Sequence, residues 1–160
     1  MKIAIVSDIH DHLKLLLQAL DRAKQEGAEV LFCCGDLCSP FIMHALGKNF
    51  AGAIHIALGN NEGDRVRMVQ VAQLYPQIHI YPEICSLTLG GKRIGMVHSD
   101  ELGRPLAESG LYDVVFFGHN HRQEMGEKWV NPGELCGELS GKSTFSVMDL
   151  ASLKAVTIEL

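Results

Sequence analysis

Five short segments of the sequence carry side chains that bind metal ions: Asp8-Ile9-His10, Gly35-Asp36, Gly59-Asn60-Asn61-Glu62, His98-Ser99-Asp100 and Gly118-His119-Asn120-His121. Together they offer two carboxylates (Asp8, Asp36), four imidazoles (His10, His98, His119, His121) and one amide oxygen (Asn60). Mixed oxygen and nitrogen donors suit borderline divalent ions such as manganese, iron, zinc or nickel, whereas an all-oxygen set favours magnesium or calcium. One zinc ion takes about four ligands. Seven candidates exceed one ion and suit two, with one carboxylate bridging. Two ions ~3.5–4 Å apart clamp the attacking and leaving oxygens of an in-line displacement at phosphorus. Water held by both loses a proton near neutral pH and becomes the nucleophile.

Each segment follows an apolar run, and those runs must position it. Ile3–Val6 is short and continuously apolar, as in a strand buried on both faces. Leu13, Leu16, Leu17 and Leu20 then form the stripe of a core-facing helix, with Asp11 as its expected N-cap and Gly27 as its stop. Val30–Cys34 and Ile54–Leu58 are further strands, and Gly63–Leu74 reads as a helix. Such alternation implies right-handed crossovers and a parallel sheet. Ser86–Leu89, Gly90-Gly91 and Arg93–Val97 predict a hairpin, Asp113–Phe117 a buried strand, and Thr144–Met148 and Ala155–Ile158 a final pair. The expected fold is α/β, parallel early and antiparallel late, in two packed mixed sheets. Ligands bind beyond the carboxyl ends of strands in open α/β sheets, so the five segments converge on one rim.

Length and composition bound the rest. A chain of 160 residues, 47% hydrophobic and 21% charged, suits one domain over residues 1–160 with a core that needs no disulfide. A net charge of −5 argues against a surface for long nucleic acid. No apolar run reaches the ~20 residues that span a bilayer, and the N-terminus lacks the pattern of a signal peptide. Five cysteines, an odd count with Cys33 and Cys34 adjacent, predict reduced thiols and a cytoplasmic setting.

In that order the segments resemble the motifs of the calcineurin-like metallophosphoesterase superfamily, D-x-H, G-D, G-N-x-[D/E], H and G-H-x-H, and most closely its small bacterial and archaeal phosphodiesterase branch. Asn131-Pro132-Gly133 matches a further segment of that branch. The resemblance implies a four-layer αββα sandwich and hydrolysis of a small phosphate ester, a diester by preference, by a hydroxide bridging two divalent metals, with manganese first and nickel, zinc, iron or cobalt as alternatives. It implies Asp8, His10 and His121 on one metal, Asn60, His98 and His119 on the other, and Asp36 on both. Asp36, His98 and Asn61 are the expected catalytic positions. Members of such families often associate, so a homodimer is the expected assembly.

Two positions depart from the family pattern. Asn61 stands where many members have a histidine that protonates the leaving oxygen; an amide donates a hydrogen bond but is no acid near neutral pH. Ser99 follows His98 where glycine is usual, and is expected to narrow the site. Glu62 is expected to accept a hydrogen bond from a metal-binding histidine. Of Arg65, Arg67, Arg104 and Arg122, Arg122 is the best placed to meet phosphate. His12, His44, His55 and His79 match no motif and read as surface or packing residues. Cys33 and Cys34 read as core, and Cys38 as a buried thiol. Residues 37–50, 61–70 and 99–110 are expected to supply loops that wall the substrate pocket, with Asn120 near it. A scaffold of the same fold without catalysis is the competing reading.

Overall fold

The computed structural model describes residues 1–160. Its elements in order are β1 (Lys2–Val6), α1 (Leu13–Gln25), β2 (Ala28–Cys33), α2 (Pro40–Asn49), β3 (Ala53–Ala57), α3 (Arg65–Ala72), β4 (Ile78–Tyr81), β5 (Cys85–Leu89), β6 (Lys92–Met96), α4 (Asp100–Glu108), β7 (Val114–Phe116), β8 (Gln123–Met125), β9 (Trp129–Pro132), β10 (Thr144–Asp149) and β11 (Lys154–Glu159). They form two sheets, β11-β10-β1-β2-β3-β4 and β5-β6-β7-β9-β8. No helix is long and apolar enough to cross a membrane.

The continuous apolar runs become strands whose alternate residues serve two cores. Ala4, Val6, Leu31 and Cys33 face a core shared with α1, α2 and α3. Ile3, Ile5, Val30 and Phe32 face the other way, onto Ile94, Met96, Val114 and Phe116 of the second sheet. Phe32 and Phe116 meet edge to face across that seam at 5.1 Å. Val115, Phe117 and Ala107 pack α4 on the far side of the second sheet. The order helix, sheet, sheet, helix is the four-layer sandwich expected.

Several local readings change. Residues 37–50 and 99–110 are not loops: they hold α2 and α4. Ser99 is the N-cap of α4, its hydroxyl accepting from the Glu101 amide at 3.2 Å, which gives a reason for serine after His98. Asp11 does not cap α1. His12 stands at that place without a side-chain bond, and the Asp11 carboxylate accepts from the Ser39 amide at 2.9 Å, tying the first two strand-end loops together. The buried stripe of α1 is Leu16, Ala19, Leu20 and Ala23, and Leu13 is exposed. The second half is not simply antiparallel, since β6, β7 and β9 run parallel. Antiparallel β10 closes the first sheet against β1.

Candidate metal centre

Beyond the strand ends the loops continue to pair. Asp8 N donates to Gly35 O, Ile9 N and His10 N to Asp36 O, and Gly118 N to His98 O. Leu135 N and Cys136 N donate to Ser7 O and Asp8 O. This zipper draws the two sheets' loops into one rim. Asp8, His10, Asp36, His119 and His121 all adopt left-handed backbone, with φ of 53°, 43°, 55°, 72° and 60°. Non-glycine residues seldom do so, and clusters of them mark functional sites.

Glycines make the approach close. At Gly118 a Cβ would overlap Ser7 Oγ and Asp8 Oδ2, and at Gly59 it would overlap the Asp36 carboxylate. Gly35 combines a φ of 100° with 2.8 Å between a built Cβ and either Gly59 N or His98 Nδ1.

All seven side chains lie around the buried pair Asp8 and Asp36. His10 Nε2 is 3.6 Å from Asp36 Oδ2 and 3.9 Å from Asp8 Oδ1, and His121 Nε2 is 3.4 Å from that same Asp8 oxygen. On the other side His98 Nε2 lies 3.3 Å from Asp36 Oδ2, 2.9 Å from Asn60 Oδ1 and 3.2 Å from His119 Nδ1. Asp36 thus faces both groups. Burial alone would raise its pKa, but His98 beside it and the hydrogen bonds from Asn61 hold it well below the usual carboxylate range. Burial opposes a charge on His98, yet Asp36 beside it raises the pKa.

The donor chemistry fits a cation in each group. Asp8 Oδ1 and His10 Nε2 are buried with no hydrogen-bond partner, a costly state that an ion would relieve. His98 Nδ1 lies 2.7 Å from the Cys34 carbonyl, which can only accept, so Nδ1 carries the proton. In the neutral ring, the Nε2 lone pair then faces Asn60 Oδ1 and Asp36 Oδ2, an arrangement of acceptors that a divalent ion satisfies.

The neighbours divide in ways the sequence left open. Asn61 donates to Asp36 twice, from its backbone and from Nδ2, each at 2.8 Å. Glu62 does not reach a histidine. Its carboxylate accepts from Leu37 N, Cys38 N and Gly59 N, each at 3.0 Å, clamping the Asp36 loop to the Gly59 loop. Glu134, which no motif marked, accepts from His121 Nδ1 at 2.8 Å. Burial would raise the Glu134 pKa, but donors from Cys136, Ser140 and His121 bring it down to about 2. Cys38 Sγ sits 3.4 Å from His10 Nδ1, and burial pushes its thiol up to about 11. Asn120 braces loops, donating to Asp100 and accepting from Asn131. Asn131 also donates to Gly118 O, which explains the place of the Asn-Pro-Gly segment.

Two clefts flank the centre. One, of about 470 Å³, runs past Asn60, His98 and His119 between Leu58, Leu102, Arg65 and Glu83. The other, of about 410 Å³, runs past His10, Asn61 and His121 to Glu138 and Leu139. Arg65, not Arg122, is the arginine that lines them. Arg104 is instead paired with Glu124 and lies over Trp129.

Gly118→Ala is expected to displace Asp8 and weaken divalent-ion binding more than tenfold, while costing about 1–3 kcal/mol in stability, as crowding of a packed site does. Calorimetric metal titration beside urea unfolding checks both. Unaltered metal binding would show that the close approach of Gly118 to Asp8 is dispensable.

A family model for the calcineurin-like phosphoesterase superfamily domain matches residues 1–153. A phosphodiesterase from Methanocaldococcus jannaschii is 32% identical over 155 residues, spanning 93% of each chain. A solved archaeal phosphodiesterase superposes with a TM-score of 0.89 at 30% identity, covering 100% of both chains. A phosphoesterase from E. coli shares the fold, with a TM-score of 0.70 at 20% identity over 99% of this chain and 98% of its own. Matched along nearly its whole length, the protein whose strand ends build this rim belongs to the calcineurin-like phosphoesterase superfamily.

Proposed function

We propose that the chain is a phosphodiesterase that works with two divalent ions. The observation that carries this reading is the pair of donor groups meeting at buried Asp36, with acceptor atoms in each left unpaired or facing one another. Asp8, His10 and His121 would hold one ion, Asn60, His98 and His119 the other, and Asp36 both. When bound, the ions would supply Lewis acidity toward the phosphoryl oxygens and a water acidified to near neutral pH for in-line attack. The mixed donor set suits manganese, and also accommodates nickel, zinc, iron or cobalt.

The chain's own groups set the rest. Asp36 is kept ionised by Asn61 and His98. Asn61 orients that carboxylate but has no proton to transfer near neutral pH, so esters with acidic leaving groups should react best. A diester has two arms, and the two clefts offer each a place. Arg65 lines the larger cleft, its guanidinium fixed by a 2.8 Å bond to Gly59 O, where it can meet an anionic or polar arm. A small ester fits these clefts and the net charge of −5 better than a long polyanion does. We place the protein in the cytoplasm, a reading supported by five cysteines that are all free thiols. The scaffold alternative gains nothing from a rim whose seven donor positions are all filled.

After chelation and reloading with manganese, the protein is expected to hydrolyse bis-p-nitrophenyl phosphate faster than p-nitrophenyl phosphate, and Asp36→Ala to lose at least 10³-fold in rate. Faster monoester turnover would overturn the diester preference, and no turnover with any divalent metal would overturn the enzyme. Asn61→His is expected to speed esters with poor leaving groups by ~10²-fold, toward the usual range for an added general acid, and to change nitrophenyl esters little. Equal effects on both classes would show that Asn61 does not occupy the leaving-group position.

A further inference from the structure

Glu134 is fully buried, and five donors converge on its carboxylate. Its partners are His121 Nδ1 at 2.8 Å, Cys136 Sγ at 3.0 Å, Glu138 N at 3.1 Å, Leu139 N at 2.9 Å and Ser140 N. Three backbone amides fix the carboxylate in place, so it is a rigid anionic acceptor and not a mobile surface acid. On the other side of the His121 ring, Nε2 faces an Asp8 Oδ1 that accepts no hydrogen bond. The Glu134 carboxylate can only accept, so the 2.8 Å contact places the proton of the neutral ring on Nδ1 and leaves the Nε2 lone pair toward Asp8.

We propose that Glu134 is the positioning residue of the Asp8 half of the centre: it locks His121 in the Nδ1–H tautomer, turns Nε2 toward Asp8, and strengthens that nitrogen as a metal ligand. The inference rests on His121 being a ligand, as proposed above. The two halves differ in this respect. His98 also carries its proton on Nδ1, but its acceptor is the neutral Cys34 carbonyl at 2.7 Å. An anionic partner makes an imidazole the more basic ligand. The Asp8 half, which also has a carboxylate where the other has the Asn60 amide, should bind its ion first, and loss of the Glu134 charge should affect that binding event most.

The test is Glu134→Gln, which keeps the shape and removes the charge. Nitrogen-15 shifts of His121 in the metal-free protein are expected to report the Nδ1–H tautomer. In calorimetric titration with manganese, the tighter event is expected to weaken 10- to 100-fold in the variant, the usual range for such outer partners, and the weaker event to change less than threefold. An Nε2–H tautomer in the unaltered protein would overturn the proposal without any variant, should Glu134→Gln fail to fold. Manganese binding unchanged within twofold would overturn it as well. Cys136→Ala removes one donor to the same oxygen but leaves the carboxylate on His121, and is expected to bind manganese nearly as the parent does. A loss equal to that of Glu134→Gln would assign the effect to the loop and overturn the proposal. His121→Ala separates the two readings: wild-type binding of both ions there would refute His121 as a ligand, whatever Glu134 does.

Discussion

The structure turns on two carboxylates buried where the two sheets' strand ends meet. Asp8 is 0% exposed and Asp36 1%. An ionised carboxylate removed from water costs several kcal/mol unless charge or donors compensate it. Asp36 has the Asn61 amide and two imidazoles around it; Asp8 has the His119 amide on one oxygen and no hydrogen-bond donor on the other. That deficit lies on the side where His10 and His121 converge. The fold therefore holds a concentration of negative charge and lone pairs that two cations would complete.

Holding that arrangement takes most of the rim. Left-handed backbone at a non-glycine residue costs of order 1–3 kcal/mol, and five of the ligand candidates adopt it. Backbone pairs between the Asp8 and Asp36 loops, between the His98 and Gly118 loops, and from Leu135 and Cys136 to Ser7 and Asp8 over-determine these conformations. Glu62 and Asn131 add side-chain clamps from behind. The scaffold beneath is stiff for the same reason that it is apolar: β1 and β2 bury both faces, so neither can slip in register without exposing one core.

Much of this was legible in the sequence. Continuous apolar runs, three of them ending in glycine, marked the central strands and the seven candidate donors that follow them, because burial on two faces leaves no polar alternation to confuse the reading. The helices α2 and α4 were missed for physical reasons. The first is short and flanked by the site loop, and the second carries Pro105 within it. Asp11 looked like a cap from its position, but the Ser39 amide competed for it. The role expected of Glu62, accepting from a metal-binding histidine, falls to Glu134. A glutamate near a motif says nothing of which way its carboxylate turns, and Glu134 reaches His121 only because β9 returns beside β7. Its signal in the sequence was a charged residue directly after Asn-Pro-Gly, amid residues that are otherwise buried.

Two cations sharing Asp36 would complete the rim. Anomalous diffraction from crystals of the manganese-loaded protein measures this directly. Two peaks are expected ~3.5–4 Å apart, as in two-metal sites generally, one against Asp8, His10 and His121 and one against Asn60, His98 and His119, with Asp36 between them. A single peak, or two that do not share Asp36, would contradict this arrangement.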